Sequence, residues 1–263
     1  MKDVLITGAY GGMGAATARV LAGNGYRVFA LDRCAGEAQE NIVPIQADIT
    51  CEESLENALE TVRQHTDRLY AVIHFAGVYM LDSLVEMEDA QFRKILDVNL
   101  RGAYLVNKTF LSLLGAGSRI LLTTSELAPL DPLPFTGIYA VTKSALDKYA
   151  YSLAMELQLL GIRVSVLRAG AVQTGMLGTS TDALDRFCEK TKIYTCNANR
   201  FKAIVQRVES RCIPPEKIAG KVLGILKKSR PCFVYTINRN PLLLMLDLLP
   251  KRLQMGIIGK VLR

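Results

Sequence analysis

Seven short apolar runs punctuate the chain: residues 3–6 (DVLI), 27–31 (RVFAL), 42–48 (IVPIQAD), 69–77 (LYAVIHFAG), 119–125 (RILLTTS), 162–170 (IRVSVLRAG) and 231–237 (PCFVYTI). Most are close to continuously hydrophobic, which predicts strands buried on both faces of a parallel sheet. Helical stretches are predicted between them, over 15–21, 51–65, 88–114, 140–151 and 216–228. Thr50 and Glu53 have capping-box spacing for the second helix, and Pro214-Pro215-Glu216 opens the last. Strand and helix alternate throughout, so the expected class is α/β: a single doubly wound domain over 1–263, with a seven-stranded parallel sheet and a C-terminal helical extension. Residues 175–212 read as a lid. The tail, 241–263, is amphipathic after Pro250, where Leu253, Ile257, Ile258, Val261 and Leu262 share a helical face and Lys251, Arg252, Lys260 and Arg263 lie elsewhere.

Composition sharpens this picture. Half of the 263 residues are hydrophobic and the mean hydropathy is +0.20, which suits a sheet covered on both sides. Charge is uneven. Residues 190–263 hold sixteen Lys and Arg against three Asp and Glu, while the whole chain carries +7. The basic excess therefore belongs to the C-terminal quarter. It lacks interleaved aromatics, so no nucleic-acid partner is expected. Cysteines 34, 51, 188, 196, 212 and 232 form no C-x-x-C pair and stand at no metal spacing with His. Free thiols, no metal site and a cytoplasmic location are the expectation. MKDVLITG runs straight into a strand, from which neither leader nor N-terminal anchor is expected. No apolar run approaches a membrane span. The tail could still lie on an anionic membrane surface, or pack over the protein's own pocket or a sister subunit.

The chemistry-bearing residues fall at strand ends. After the first strand, TGAYGGMG places Gly8, Tyr10, Gly12, Met13 and Gly14 in a tight turn before a helix, where small residues let a diphosphate approach backbone N–H groups. Asp32 ends the second strand and can accept both ribose hydroxyls of NAD while repelling a 2′-phosphate. Arg33 beside it could take that phosphate instead, so NAD is favoured over NADP without excluding it. Asp48-Ile49 is positioned for an adenine edge, and Ala76-Gly77 are small enough for a cofactor to lie close. His74 reads as a packed or hydrogen-bonded strand histidine. Asn99, a poor helix former inside a long helix, reads either as an exposed polar position or, more sharply, as a buried amide that opens the helix locally and holds a water. Ser125 ends the fifth strand without a His-Asp arrangement, which disfavours a nucleophilic hydrolase. Tyr139 and Lys143 sit one helical turn apart. A nearby ammonium is expected to draw the phenol's pKa down toward neutrality and make it a general acid/base.

TGAYGGMG, Asp48, HFAG, Asn99, Ser125, Tyr139 with Lys143, and AGAVQT together, in this order, resemble the motif set of the short-chain dehydrogenase/reductase family across residues 1–240. The resemblance implies a Rossmann-type fold and hydride transfer between NAD or NADP and a secondary alcohol or ketone. Under it, Tyr139 is the acid/base, Ser125 orients the substrate oxygen, and Lys143 holds the nicotinamide ribose. Asn99 then keeps a water linked to Lys143, and Val172 and Thr174 contact the carboxamide. A dimer or tetramer is also implied. Two departures stand out. Ala169 replaces a proline, from which a less rigid turn is expected. His74-Phe75 replaces two asparagines whose side-chain hydrogen bonds tie the sheet. The lid, the leucine-rich tail and Arg230, Pro231 and Tyr235 look like the hydroxysteroid and retinol branch, so the expected substrate is bulky and lipophilic. An acyl-carrier-protein ketoreductase and a catalytically silent dinucleotide-binding regulator are the alternatives.

Overall fold

The computed structural model describes residues 1–209 and 212–263, including the side chains of all of these except 175–182 and 206–209. Part of the expected lid, 175–212, thus lies outside the described residues. Seven strands form one sheet: β1 Lys2–Thr7, β2 Tyr26–Asp32, β3 Ile42–Gln46, β4 Ala71–His74, β5 Arg119–Ser125, β6 Arg163–Ala169 and β7 Val234–Ile237. Their order is β3-β2-β1-β4-β5-β6-β7, and every pairing is parallel. The chain walks outward from β1 to β3, then returns to β1's other side with β4. That reversal leaves a crevice beyond the carboxyl ends of β1 and β4, the place where open α/β sheets bind ligands.

The helices are α1 Gly12–Ala22, α2 Glu52–Arg63, α3 Asp89–Leu96, α4 Gly102–Phe110, α5 Gly137–Leu157, α6 Gly175–Lys190, α7 Thr195–Glu209, α8 Pro215–Lys227, α9 Pro241–Asp247 and α10 Lys251–Leu262. Successive strand residues point to opposite faces. Val4, Ile6, Val28 and Ile73 pack under Leu21 of α1 and Ile218 and Val222 of α8. Leu5, Phe29 and Val72 pack on the other face with Leu55 of α2 and Phe110 of α4, and Ile120, Leu122 and Val166 pack there with Leu146 and Ala150 of α5. Burial of each such side chain stabilises the fold by roughly 1.5–3 kcal/mol.

One local expectation is met and another changes. The long helix predicted over 88–114 is interrupted by a π-helical turn, Asp97–Arg101, with Asn99 at its centre. The Thr50/Glu53 capping box does not form: α2 begins at Glu52 and its N-cap, Cys51, makes no side-chain cap bond. Thr50 instead donates its backbone N–H and its hydroxyl to Asp48 Oδ1, at 2.8 and 2.7 Å. Asp48, two residues earlier, thus forms a local side-chain turn with Thr50 in place of the box.

The tail folds back over the carboxyl edge of the sheet. Leu184, Phe187, Phe201 and Leu262 form a separate apolar cluster with Leu81, and Asn197 Nδ2 donates to the Leu262 carbonyl at 2.7 Å. On α10 the inward line is Gln254, Ile258 and Leu262, whereas Leu253 is exposed. Gln254 Nε2 donates to the carbonyls of Leu249 (2.9 Å) and Asp247 (3.3 Å), closing the turn between the two terminal helices, while Ile258 and Leu262 pack into the cluster that holds Leu184 and Phe201. The expected shared face of the tail therefore splits in two. Among the described residues no helix is long and apolar enough to cross a membrane.

Candidate active site

The glycine turn sits at the carboxyl end of β1, against β4. Gly8 has φ +67° and its carbonyl lies against Gly14, where a Cβ would come within 2.1 Å of that oxygen. Only glycine fits both positions. Gly12 faces Thr174, whose Cγ2 would be 2.6 Å from a Cβ there. Thr174 follows a segment pinned to Ile213: Gln173 N–H donates to the Ile213 carbonyl (2.8 Å), and Ile213 N–H to the Ala171 carbonyl (3.1 Å). Turn, Val172 and Thr174 thus meet at one place. Asp32 closes its outer end, its carboxylate accepting the N–H groups of Tyr10 (3.0 Å) and Cys34 (3.1 Å). The Tyr10 ring lies against Gly36, where a Cβ would come within 1.9 Å of its Cζ, and its buried hydroxyl has no hydrogen-bond partner among the described residues. Arg33 is exposed next to Asp32. It helps Thr50 hold the Asp48 carboxyl below its usual range. The Ile49 side chain points into the core, which leaves only its backbone for a ligand.

Asn99 straps the next wall in place. Its Oδ1 accepts the Val78 N–H at 2.8 Å, and its Nδ2 donates to the Val78 carbonyl (2.9 Å) and the Thr142 hydroxyl (3.1 Å). The opened turn of the helix lets one buried amide reach both a loop and α5. A Cβ on Gly77 would lie 3.3 Å from Asn99 Oδ1 and 3.6 Å from Lys143 Nζ, so these three positions are immediate neighbours. Beneath them His74 is buried and bonds Asn107 Oδ1 through Nε2 at 2.9 Å. Burial lowers its pKa to about 4, so it is neutral, and it ties β4 to α4 where the sequence suggested that such ties were lost. The turn at Ala169 is likewise held, with Gly170 N–H donating to Ile237 (3.0 Å) and Asn238 Nδ2 to Ala171 (2.8 Å).

Ser125, Tyr139 and Lys143 line a cavity of about 670 Å³ together with Met13, Gly77, Val172 and Thr174. Tyr139 packs edge-on to Tyr79 with ring centroids 4.8 Å apart. Burial pushes its phenol above the ordinary value, with a smaller contribution from Tyr79, and a hydrogen bond with Ser125 opposes the rise. This reverses the direction expected from the Tyr-Lys spacing. Lys143 Nζ, 5.8 Å from the Tyr139 ring centroid, donates instead to the Thr123 carbonyl at 3.2 Å. Burial lowers Lys143 to about 8. Desolvation acts on both groups toward their neutral forms, and it outweighs the attraction between opposite charges at this separation.

Sequence reasoning missed Glu126. It lines the cavity beside Ser125, and its Oε2 accepts the Asn240 N–H at 2.5 Å at the start of α9. Burial raises its pKa, against that bond and Arg239. A charged residue directly after a strand-end serine was the available signal. The cavity's outer walls are apolar and come from the tail: Leu242, Leu246, Ile257 and Val261 among others. No cluster of His, Cys, Asp and Glu able to hold a metal occurs among the described residues.

Residues 2–185 match the family model described as short chain dehydrogenase. Among curated proteins, the chain is 33% identical over 199 residues to estradiol 17-beta-dehydrogenase 2 of Mus musculus, covering 70% of this chain and 51% of that protein. It is 30% identical to the NADPH-dependent 1-acyldihydroxyacetone phosphate reductase of Schizosaccharomyces pombe over 192 residues, 69% of this chain and 65% of the relative. The chain thus spans about half to two-thirds of the length of these two relatives. A third relative, 3-amino-tetrahydro-pyrrolizinone reductase of Xenorhabdus hominickii, is 31% identical with 88% and 84% covered. A solved short-chain dehydrogenase from Streptomyces avermitilis has the same fold, with TM-score 0.78, 18% identity and 99% and 96% of the two chains covered.

Proposed function

Because the chain belongs to the short chain dehydrogenase family of oxidoreductases, we propose that it interconverts a bulky, lipophilic secondary alcohol and its ketone with a nicotinamide dinucleotide, NAD in preference to NADP. The observation that carries this reading is the convergence of Ser125, Tyr139 and Lys143 on one largely apolar cavity that opens from the glycine turn. The residues present fit a dinucleotide. The turn has a floor that any Cβ at Gly12 or Gly14 would fill, and an orphaned phenol hydroxyl on Tyr10 lies beside the Asp32 carboxylate. Gly8, Gly12 and Gly14 would admit the diphosphate to the amino end of α1. Asp32 would take the adenosine ribose hydroxyls, and its charge disfavours a 2′-phosphate. Bound there, the nicotinamide supplies or accepts the hydride.

The chain's own residues do the rest. Tyr139 O–H donates a proton to the carbonyl oxygen in reduction and takes it back in oxidation. Ser125 O–H holds that oxygen and stabilises its developing charge. The phenol is held neutral in the described geometry, which suits the acid role in reduction. In oxidation, Lys143 as an ammonium favours the phenolate. Asn99 positions the wall opposite. Leu242, Leu243 and Leu246 of the tail line the cavity, exclude water and supply apolar contact to the substrate. Estradiol 17-beta-dehydrogenase 2 is named for a steroid, in keeping with such a wall. Tyr139→Phe is expected to lower turnover at least a hundredfold while leaving reduced-cofactor binding, read by fluorescence, nearly unchanged. A panel of steroid, retinoid and acyl-thioester carbonyls with both cofactors provides the assay. Turnover by Tyr139→Phe comparable to the unsubstituted protein would remove Tyr139 from the acid/base role.

A further inference from the structure

The outer surface of the two terminal helices has a composition that the cavity does not explain. On α9 and just past it, Leu242, Met245 and Leu248 are exposed at 63, 65 and 84%, and their spacing of three places them on one stripe. On α10, Leu253, Ile257 and Val261 follow at intervals of four and are also exposed. Arg252, Lys260 and Arg263 lie beside this second stripe, on the same outward half of the helix and opposite the inward line of Gln254, Ile258 and Leu262. Asp247 is the single acid in 239–263. It is turned inward, where its Oδ1 accepts the Asp131 N–H at 3.0 Å. Lys251 is paired with Asp131. An apolar surface with a cationic margin and almost no negative charge is thus displayed on one side.

The mouth of the cavity lies in this same surface. Leu242, Ile257 and Val261 both line the cavity and are exposed, the last two at 41 and 51%. They therefore mark its rim, with Met245, Leu248 and Leu253 around them. We propose that α9 and α10 dock the protein on an anionic lipid surface, with the apolar stripes at the acyl boundary and Arg252, Lys260 and Arg263 among the headgroups, so that the cavity mouth faces the bilayer. A helix of this kind lies in the plane of the interface and does not span it. Basic groups near such a surface are attracted over about a Debye length. A lipophilic substrate then enters from the lipid without crossing water, a clause that rests on the proposed substrate class. The docking itself does not.

The test uses the full chain without substrate or cofactor, so that its failure is separate from failure of the enzymatic reading. Vesicles of phosphatidylcholine alone and of phosphatidylcholine mixed with phosphatidylserine are floated through a density gradient with the protein. Binding to the mixed vesicles is expected, reduced at least tenfold by Arg252→Glu with Lys260→Glu, and weakened by added salt. Met245→Glu with Leu248→Glu is expected to abolish it. None of these four residues lines the cavity, and circular-dichroism spectra and urea midpoints close to those of the unsubstituted protein show that each variant is folded. Protein remaining unbound with mixed vesicles would overturn the proposal. So would binding indifferent to both pairs of substitutions, or light scattering that shows a dimer dissociated by Leu248→Glu in a protein that does not float.

Discussion

Lys143 should make the cofactor-free protein less stable than it could be. Its ammonium is buried among β5 and α5 with the Thr123 carbonyl as its hydrogen-bond acceptor, and burial lowers its pKa from 10.5 to about 8. At 1.36 kcal/mol per pKa unit, that shift costs about 3 kcal/mol at pH 7. Replacing it with methionine fills similar space, removes the buried charge and forfeits one hydrogen bond worth about 1 kcal/mol. Lys143→Met is therefore expected to be more stable at pH 7 by about 2 kcal/mol, or roughly 4–8 °C in melting temperature for a chain of this size. The advantage has a pH signature. Below pH 8 the lysine is charged in both states and the penalty is constant. Between 8 and 10.5 the unfolded chain keeps a proton that the folded chain has released, so stability of the unsubstituted protein rises with pH. The gap to Lys143→Met should close over that window. Urea unfolding followed by circular dichroism at pH 7, 9 and 10 measures it. A methionine variant no more stable at pH 7, or a gap that does not change with pH, would refute the reasoning.

His74 gives the corresponding acid limb. With its folded pKa near 4 against an ordinary 6.5, stability present above 6.5 is lost as pH falls toward 4, by up to about 3 kcal/mol. His74→Asn should flatten urea midpoints across that range, and equal slopes would count against it. Asn99→Leu leaves the Val78 N–H and carbonyl without their partner. It should cost about 2–4 kcal/mol in equilibrium unfolding, and a loss below about 1 kcal/mol would show that the strap is not needed. Asp32→Ala should weaken NAD binding far more than NADP, because both nucleotides share the phosphate turn while only NADP carries the 2′-phosphate. Fluorescence titration with both reduced cofactors reads the ratio, and an unchanged preference rejects the assignment to NAD.

The sheet was legible in the sequence because each strand is an apolar run too short for a helix and is bounded by Gly, Pro or Asp. Interior parallel strands bury both faces, so their composition depends little on which neighbours they find. The glycine turn was legible for a similarly local reason, since backbone approaches as close as that between Gly8 and Gly14 admit no side chain. The interruption at Asn99 was also foreseeable, since its amide competes with the helix for hydrogen bonds. The partners of that amide were not: Val78 is 21 residues away and Thr142 is 43.

Spacing alone put Tyr139 and Lys143 on one face of α5 and Ser125 at the end of β5, so the grouping of these side chains followed from sequence. The direction of their pKa shifts did not. Desolvation depends on everything that surrounds a group, and here it raises the phenol and lowers the ammonium together. The same holds for Glu126, whose carboxylate meets the Asn240 N–H from 114 residues away, and for α10, where Gln254 turns inward and Leu253 outward. Amphipathic spacing says that a helix has two sides. Which side faces the protein is settled by long-range contacts, and these exist only once the chain has closed over its own sheet.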